Sequence, residues 1–267
     1  MTRGEADTLG LAEAQGGGRF AELERLARYY DLRHGAYVED LAFYRDLARG
    51  SHLVLELGCG TGRLLMPLAD EGVAVLGVES SPAMLCRARS RLEGQEAADR
   101  VQLVRADLRR PVCRGASLAL LALNTFNHFG HREEQVQVLE AARFSLSSGG
   151  RLVLDLPNPH LELERGVQGA CVLEQVTDTD EGVLYEWSVT EVDRAAQRMR
   201  LRCVYDLARP DRIIRETCLA ELYLFYRPEL ELLLERTAFA VEGVFGDYDG
   251  SDYEEGSPRM LAVARAV

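Results

Sequence analysis

Three glycines at alternate positions, Gly58, Gly60 and Gly62, carry the clearest chemical signal in the sequence. They follow the apolar run HLVLELG and precede TGRLLMPLADEG, so they lie at a strand-to-helix turn. Glycine lets the backbone turn tightly and lets a ligand approach the main-chain N–H groups. The N-terminus of the following helix adds free N–H groups and a positive dipole end. The pattern therefore predicts a ligand-binding loop.

Acidic residues stand at the ends of the strands around this loop. Glu56 comes two positions before Gly58, where its charge repels a pyrophosphate and suits a cationic ligand. Glu79 ends the second strand, where a carboxylate can accept hydrogen bonds from both hydroxyls of a ribose. Asp107 follows the third strand and is placed to accept from an adenine amino group, with Leu108 covering the ring. These side chains predict an adenosine-containing ligand.

The glycine spacing discriminates between cofactors. A dinucleotide fold requires GxGxxG, in which the last glycine allows close contact of helix and strand. Here Arg63 takes that last position, and the glycines run GxGxG. The pattern favours a different cofactor, and a nucleotide-dependent oxidoreductase is an alternative.

The motifs ELGCGTG, VES and RADL, in this order and spacing, resemble the class I S-adenosylmethionine-dependent methyltransferases. The resemblance covers residues 50–160 well and continues more weakly to the C-terminus. It implies a Rossmann-like, doubly wound α/β sheet of seven strands that ends in an antiparallel hairpin. It also implies S-adenosyl-L-methionine as the cofactor and an enzyme that transfers its methyl group.

The same resemblance implies which residues surround the cofactor: Tyr30, Glu56, Gly58, Cys59, Gly60, Gly62, Glu79, Ser80, Met84, Asp107, Leu108 and Asn124. Glu56 and Gly58 would border the methionyl group, Glu79 the ribose, and Asn124 the methionyl end and the methyl group. Tyr30-Asp31 resembles the YD of small-molecule methyltransferases such as the sugar-amine and glycine N-methyltransferases, where the tyrosine lies by the cofactor.

Four of these residues also have a purely structural interpretation. Ser80 and Met84 are typical of a helix cap and a core residue. Cys59 is typical of a small buried filler, and Asn124 of a loop cap. Both interpretations remain open on the sequence alone.

The acceptor side is expected beyond the ends of the fourth and fifth strands. The polar and aromatic residues there are Asn124, Phe126, Asn127, His128, Asp155, Asn158 and His160. His128 is the candidate catalytic base, because an imidazole titrates near neutrality and can take a proton from an amine or a hydroxyl; the alternative is a histidine that packs or caps a helix. His128 and His131 have no third ligand nearby, so no metal site is predicted.

The surrounding elements alternate between strand and helix, which predicts a doubly wound α/β sheet. We expect a flexible tail over residues 1–18, N-terminal helices that form a lid over 19–50, and a core over 51–167 and 227–267. Between the core segments, residues 168–226 show period-two alternation and predict an antiparallel β insertion after the fifth strand. This insertion is a second candidate lid or the interface of a homodimer.

The pattern also gives bounds for single elements. It predicts helices over 38–47, 61–72 and 132–146, a turn at Gly149-Gly150 and a final helix over 228–239. Two closing strands are expected over 240–248 and 259–267.

Composition narrows the function classes. The chain has 267 residues, and all 31 of its basic residues are arginine; without lysine, a Walker-type loop, a pyridoxal Schiff base and a lysine base are excluded. A net charge of -12 disfavours a nucleic-acid partner. The arginines of residues 194–202 are expected on a solvated face, paired with Glu186 or Glu191.

Cysteine usage and hydropathy indicate the cellular compartment. Six scattered cysteines indicate reduced thiols, and no apolar run approaches the ~20 residues of a membrane span; the cytoplasm is the expected compartment.

The tetrapeptide NTFN at residues 124–127 bears on the substrate, because it replaces the (D/N)PP(Y/F) of DNA amine methyltransferases. We therefore expect methyl transfer to nitrogen or oxygen of a small-molecule acceptor. An RNA methyltransferase and a cofactor-binding module without turnover also stay open on the sequence alone.

Overall fold

The computed structural model of the chain describes residue 27 and residues 29–164 and 169–267, with the side chains of 163 and 164 excepted. The predicted tail over 1–18 lies outside these residues. The strands are β1 Leu53–Leu57, β2 Ala74–Glu79, β3 Val101–Arg105, β4 Ala116–Leu121, β5 Leu146–Pro157, β6 Cys171–Thr179, β7 Gly182–Asp193, β8 Arg198–Ala208, β9 Ile213–Tyr223, β10 Phe239–Phe245 and β11 Arg259–Ala266.

The helices complete the element order. They are α1 Leu41–Ala48, α2 Leu65–Ala69, α3 Pro82–Leu92, α4 Arg132–Ser145, α5 Pro159–Glu164 and α6 Arg227–Arg236, and residues 29–34 are also helical. Within the described residues, no helix is long and apolar enough to cross a membrane.

Seven strands form one sheet in the order β10-β11-β5-β4-β1-β2-β3. The first five strands pair in parallel, and β11 runs antiparallel to both β5 and β10. The predicted doubly wound sheet with an antiparallel closing hairpin is confirmed. The order places β1 and β4 side by side at the centre, so the loops that follow them meet at one edge.

The central strands are buried on both faces, as expected for parallel strands covered by helices. On β1, Leu55 and Leu57 pack into one apolar cluster and Val54 into the other. Glu56 lies in the middle of this run and is itself buried. A carboxyl group in such a strand has no packing role, which points to a function at this end of β1.

Six features differ in their bounds from the sequence prediction. The helix expected over 61–72 is reduced to α2, because the glycine turn occupies residues 58–62, and α1 begins three residues later than predicted. The Gly149-Gly150 turn lies within β5, as an irregularity between the pairs Ala116↔Leu146 and Leu118↔Arg151. At the C-terminus, α6 ends at Arg236 and the closing strands are shorter than expected.

A second, four-stranded antiparallel sheet has the order β6-β7-β8-β9. It confirms the predicted antiparallel insertion after the fifth strand. The expected pairing of its arginines with Glu186 or Glu191 is wrong. Arg198 and Arg200 instead contact Glu221 of β9, at 2.5 and 3.3 Å, and Glu186 binds Arg33.

The helical residues 29–34 lie between the two sheets. Tyr29 stacks on Tyr205 with ring centroids 4.3 Å apart, and Arg33 binds Glu186 at 2.9 Å. On the other side, the Thr61 hydroxyl donates to the Asp31 carboxylate at 2.6 Å. One short helix therefore contacts both the insertion sheet and the glycine loop.

Candidate functional site

The glycine turn after β1 has a conformation that favours glycine at all three positions. Gly58, Gly60 and Gly62 have φ values of 80, 54 and 80°, in the left-handed region that L side chains rarely adopt. A Cβ on Gly58 would lie 2.5 Å from Thr125 Cγ2, and one on Gly62 2.9 Å from Leu65 Cδ1. The turn is thus closed on one side by the loop after β4 and on the other by α2.

Hydrogen bonds hold the turn against β2. The amides of Gly58 and Cys59 both donate to the carbonyl of Val78, at 2.7 and 3.0 Å. Cys59 is buried, and burial raises the pKa of its thiol well above the ordinary value. Its sulfur lies 3.0 Å from where a Cβ on Gly77 would stand. Cys59 therefore fills space beneath the turn as a neutral thiol.

Arg63, at the position of the missing third glycine, forms a buried ion pair that no sequence motif indicates. Its guanidinium donates two hydrogen bonds to Asp40, at 2.7 and 2.5 Å, and one to the carbonyl of Tyr37 at 2.9 Å. Asp40 is fully buried, and the pairing with Arg63 offsets only part of its desolvation, so burial still raises the pKa of this carboxyl. The pair ties the segment before α1 to the glycine turn.

Glu56 is the least satisfied acid of the site. Its side chain is 4% exposed, and its Oε2 atom is buried without a hydrogen-bond partner. Burial raises the pKa of Glu56 to about 8, and the charges of Asp40 and Glu79 act in the same direction while Arg63 opposes them. A buried carboxyl with an unpartnered oxygen is suited to a cationic ligand, which would hold it ionised.

Glu79 links the glycine turn to the start of α3. One carboxylate oxygen accepts from the amides of Ser80 and Ser81, at 2.8 and 2.9 Å. The other accepts from the amide of Gly60 at 3.1 Å. The carboxylate is therefore fixed at the edge of the turn by three backbone donors.

The residues after Glu79 serve the start of α3. The Ser80 hydroxyl donates to Glu79 at 3.2 Å, while Ser81 caps the helix by accepting from the amide of Met84 at 3.2 Å. Met84 is buried. Ser80 and Met84 thus both have structural contacts, and their predicted cofactor contacts stay predictions.

Asp107 is already engaged by a neighbour. Arg109 donates to both of its carboxylate oxygens, with the closest contact at 2.6 Å, and this pairing lowers the pKa of Asp107. Arg109 also contacts Glu134 at 2.9 Å. Leu108 beside it is buried. An adenine amino group reaches Asp107 only if Arg109 gives up part of this contact.

Tyr30 faces the middle of the glycine turn. Its Cε1 atom lies 3.9 Å from where a Cβ on Gly60 would stand, and its ring contacts His34 at 4.6 Å between centroids. Burial raises the pKa of Tyr30 to about 12, so the phenol keeps its proton. Burial and the charge of Arg33 lower the pKa of His34 to about 4, so this imidazole is neutral.

Asp31 fastens this helical segment over the site. Besides Thr61, Arg91 donates to its carboxylate at 2.8 Å and Arg87 lies 3.7 Å away. The contact joins three elements: the N-terminal segment, the glycine turn and α3. In the sequence, Asp31 stands out only as part of the YD motif.

The loop after β4 faces the turn through Thr125, which no sequence motif marks. Asn124 precedes it, and its side-chain oxygen accepts from Arg259 at 2.7 Å. His128 ends the short 3-10 helix Thr125–His128 and is half-buried. The structure thus brings Asn124 to the edge of the glycine turn, whereas the contact to Gly58 comes from Thr125 rather than His128.

Two asparagines expected on the acceptor side have structural partners. Asn127 donates to the carbonyl of Tyr223 at 2.7 Å. Asn158 donates to the carbonyls of Glu255 and Ser257, at 2.8 and 2.7 Å. Among the described residues, no cluster of three or more His, Cys, Asp or Glu side chains is arranged to hold a metal ion.

Comparison with known families finds one match on this part of the chain. Residues 54–150 match a family model described as a methyltransferase domain. The matched range contains the glycine turn, Glu79, Asp107 and Asn124.

Two curated relatives extend the comparison. A carboxy-S-adenosyl-L-methionine synthase from Methylococcus capsulatus is 32% identical over 114 residues, which are 41% of this chain and 46% of that protein. The chain spans less than half the length of the first curated relatives it matches. A cypemycin N-terminal methyltransferase from a Streptomyces species is 28% identical over 214 residues, which are 79% of this chain and 81% of that protein.

Among solved structures, the CcbJ methyltransferase from Streptomyces caelestis superimposes with a TM-score of 0.80 at 25% identity. The similarity covers 92% of this chain and 98% of that chain. It therefore extends over both sheets.

Proposed function

We propose that the chain is a class I S-adenosylmethionine-dependent methyltransferase, as the match of residues 54–150 to a methyltransferase domain supports, and that it transfers a methyl group to nitrogen or oxygen of a small-molecule acceptor. The cofactor supplies a methyl group activated on a positively charged sulfur. The protein supplies alignment and, for an acceptor that carries a proton, a base.

The observation that carries the proposal is the unpartnered buried oxygen of Glu56 beside the glycine turn. Neither a pyrophosphate nor an apolar ligand would satisfy this carboxyl group. The ammonium group of an adenosyl amino acid would pair with it and donate hydrogen bonds. The buried carboxyl group at the end of β1 therefore fits S-adenosylmethionine.

The neighbouring residues fit the rest of the cofactor. Glu79 accepts from the amides of Gly60, Ser80 and Ser81 and from the Ser80 hydroxyl, about the four hydrogen bonds that an ionised carboxylate can take. The ribose hydroxyls would therefore displace the Ser80 hydroxyl and share the oxygen that Gly60 contacts. Gly58 and Gly62 give the ligand access to the main chain. Leu108 covers the adenine.

For the acceptor, we propose that His128 takes the proton and that the N-terminal helices and the insertion sheet shape the pocket. Support comes from the half-buried position of His128 after β4 and from residues 29–34, which contact both sheets. One relative is a cypemycin N-terminal methyltransferase, and methylation of an N-terminus agrees with a nitrogen acceptor. A His128→Ala variant tests the role: it should lower turnover and spare cofactor affinity.

The cofactor assignment is tested by calorimetric titration of S-adenosylhomocysteine into the wild type and a Glu79→Ala variant. We expect the affinity to fall about a hundredfold, since a charged hydrogen-bond acceptor for the ribose and the anchor of Gly60 are both lost. Glu96→Ala, an exposed change, is the matched control. Equal affinity in wild type and Glu79→Ala contradicts the assignment.

Turnover is tested separately by release of S-adenosylhomocysteine from S-adenosylmethionine with a panel of small amines and hydroxyl compounds. Release with at least one acceptor supports the enzyme. Cofactor binding without release from any acceptor would favour a binding module, and stabilisation by a nicotinamide dinucleotide instead would favour an oxidoreductase. Salt-sensitive binding of RNA would favour an RNA methyltransferase.

We also propose a homodimer through the insertion sheet. The strand register places Leu173, Val176 and Leu219 on one face of this sheet, and all three are exposed. They lie on the two edge strands, β6 and β9, and exposed apolar side chains on a sheet face favour association. Analytical ultracentrifugation of the wild type and a Leu219→Glu variant tests it; a monomeric wild type would contradict it.

The cytoplasm is the proposed compartment. Support comes from the six cysteines, which the structure shows as thiols. Cys203 and Cys218 stand opposite each other on β8 and β9, and such a pair stays reduced in a reducing environment.

A further inference from the structure

The turn after β4 contains two consecutive non-glycine residues with left-handed backbone. Leu123 has a φ of 41° and Asn124 a φ of 66°. Each such residue costs about 1–2 kcal/mol in L-amino acids and persists only where the surroundings hold it. The turn is therefore maintained from outside.

The carboxylate of Asp155 is what holds it. Asp155 is fully buried at the end of β5, and its Oδ2 atom accepts from the amide of Leu123 at 3.0 Å. The same oxygen accepts from the hydroxyls of Tyr44 and Tyr248, at 2.8 and 3.0 Å. Three separate segments of the chain thus converge on one carboxyl group.

Arg259, the first residue of β11, completes the arrangement. Its Nε atom donates to Asp155 at 2.9 Å, and its Nη2 atom donates to both Asp155 and the side-chain oxygen of Asn124. Arg259 is thus shared between the acid that holds the turn and the amide that the turn presents. A planar guanidinium fixes the relative orientation of both partners.

The contact decides which way the Asn124 amide faces. Because its oxygen accepts from Arg259 at 2.7 Å, the nitrogen, which carries two donor hydrogens, is the end directed away from the guanidinium. The next residue, Thr125, is the one that closes the glycine turn at Gly58. Asn124 is thus one residue away from the contact with Gly58 and keeps its two amide donor hydrogens free of Arg259.

We propose that Arg259 is a positioning residue for cofactor binding: it orients the Asn124 amide so that its N–H groups donate to the carboxylate of the bound adenosyl amino acid. This rests on the proposed function. The Glu56 carboxyl takes the ammonium group on one side of the turn, and Asn124 takes the carboxylate on the other.

The experiment compares two ligands by calorimetry. S-adenosylhomocysteine has the amino-acid end, and 5′-methylthioadenosine lacks it but keeps the adenosine. The variants are Arg259→Lys, which keeps the charge opposite Asp155, Asn124→Ala, and their combination. Arg265→Lys, at the other end of β11 and paired with Glu242 at the surface, is the matched control.

We expect each single variant to bind S-adenosylhomocysteine about tenfold more weakly, the loss of one charge-assisted hydrogen bond. The double variant should be no weaker than Asn124→Ala alone, because Arg259 acts through Asn124. Affinity for 5′-methylthioadenosine should stay unchanged. Additive losses, or equal losses for both ligands, would overturn the proposal and leave Arg259 with a structural role only.

A second variant covers the case in which Arg259→Lys fails to fold. Asn124→Asp keeps the oxygen that Arg259 contacts and replaces the donor end by a second acceptor. The melting temperature should be kept or raised, while S-adenosylhomocysteine binding falls and 5′-methylthioadenosine binding does not. Undiminished S-adenosylhomocysteine binding by this variant contradicts the proposal; failure of the wild type to bind either ligand contradicts the proposed function instead.

Discussion

Two turns at the same edge of the sheet, residues 58–62 after β1 and residues 123–125 after β4, have left-handed backbone for different reasons. In the first, Gly58, Gly60 and Gly62 lack the side chain that would clash. In the second, Leu123 and Asn124 are held by an acid and an arginine from distant parts of the chain. The first turn is specified locally, whereas the second exists only when the hairpin of β10 and β11 has closed.

The two buried acids at these turns differ in the same way. Asp155, at the second turn, accepts hydrogen bonds from Leu123, Tyr44, Tyr248 and Arg259. Glu56, at the first, has an oxygen with no partner. Internal partners satisfy the acid that has a structural role, and the acid left unsatisfied is the one that the proposed cofactor would meet.

The largest effect is expected from removing the cation of the second turn. Arg259→Met leaves Asp155 as an uncompensated buried charge, which should lower the free energy of unfolding by about 4 kcal/mol. Urea denaturation measures it, with Arg265→Met, which removes a surface arginine, as control. A loss below about 1 kcal/mol would show that the second turn does not depend on this ion pair.

A slightly smaller loss of unfolding free energy is expected from a substitution in the first turn. Gly58→Ala adds a Cβ 2.5 Å from Thr125 Cγ2 at a φ of 80°, so strain and overpacking together should cost about 3 kcal/mol. Gly115→Ala is the matched control, because Gly115 has a φ of 84° and open space around it; only the backbone cost of about 1 kcal/mol remains there. Equal losses at both glycines would remove the contact with Thr125 from the explanation.

The unsatisfied acid of the first turn gives a pH dependence. The pKa of Glu56 is raised from 4.5 to about 8 by burial, so the native state holds a proton that the unfolded chain has released. The unfolding free energy should therefore fall as the pH rises from about 4.5 to about 8, by up to about 1.4 kcal/mol per pH unit, or about 2 kcal/mol between pH 6 and 8. Thermal denaturation in the absence of ligand measures this.

Glu56→Gln is the control for the pH dependence, since it keeps the shape of the side chain and removes the titration. The variant should lose the decline between pH 6 and 8. If wild type and Glu56→Gln show the same pH profile, another group is responsible.

The smallest expected effect has the opposite sign. Leu123→Gly relieves the left-handed strain and should change the unfolding free energy by about 1 kcal/mol or less, in the stabilising direction, because Leu123 is only half-buried. Urea denaturation of this variant beside Leu121→Gly, a change in the core of β4, measures the difference. A large loss in Leu123→Gly would show that the turn needs the leucine side chain more than it needs relief of strain.

The difference between the locally specified first turn and the second turn, which distant residues hold, also decides what could be predicted from the sequence. Glu56, the three glycines and Glu79 lie within 24 residues of each other, and their spacing reflects a local strand-turn-helix. The parallel strands are recognisable from short apolar runs. The exact start of α2 and the irregularity in β5 are not, because both depend on which backbone groups the neighbouring strands leave free.

The ion pairs of the site could not be predicted in the same way. Arg63 and Asp40 are 23 residues apart, and Arg259 and Asn124 are 135 apart. Nothing local distinguishes these arginines from the others in an arginine-rich chain. The one available signal is topological: a closing hairpin beside β5 places the start of β11 opposite Pro157, the last residue of β5, two residues after Asp155.

The helical residues 29–34 have a mechanical consequence. Tyr29 and Arg33 attach to the insertion sheet, while Tyr30 and Asp31 attach to the glycine turn, and a helix rises only about 1.5 Å per residue. Because the helix is this short, we expect a shift of the second sheet to move the phenol above Gly60 as well. The insertion sheet and the glycine turn are thereby mechanically coupled.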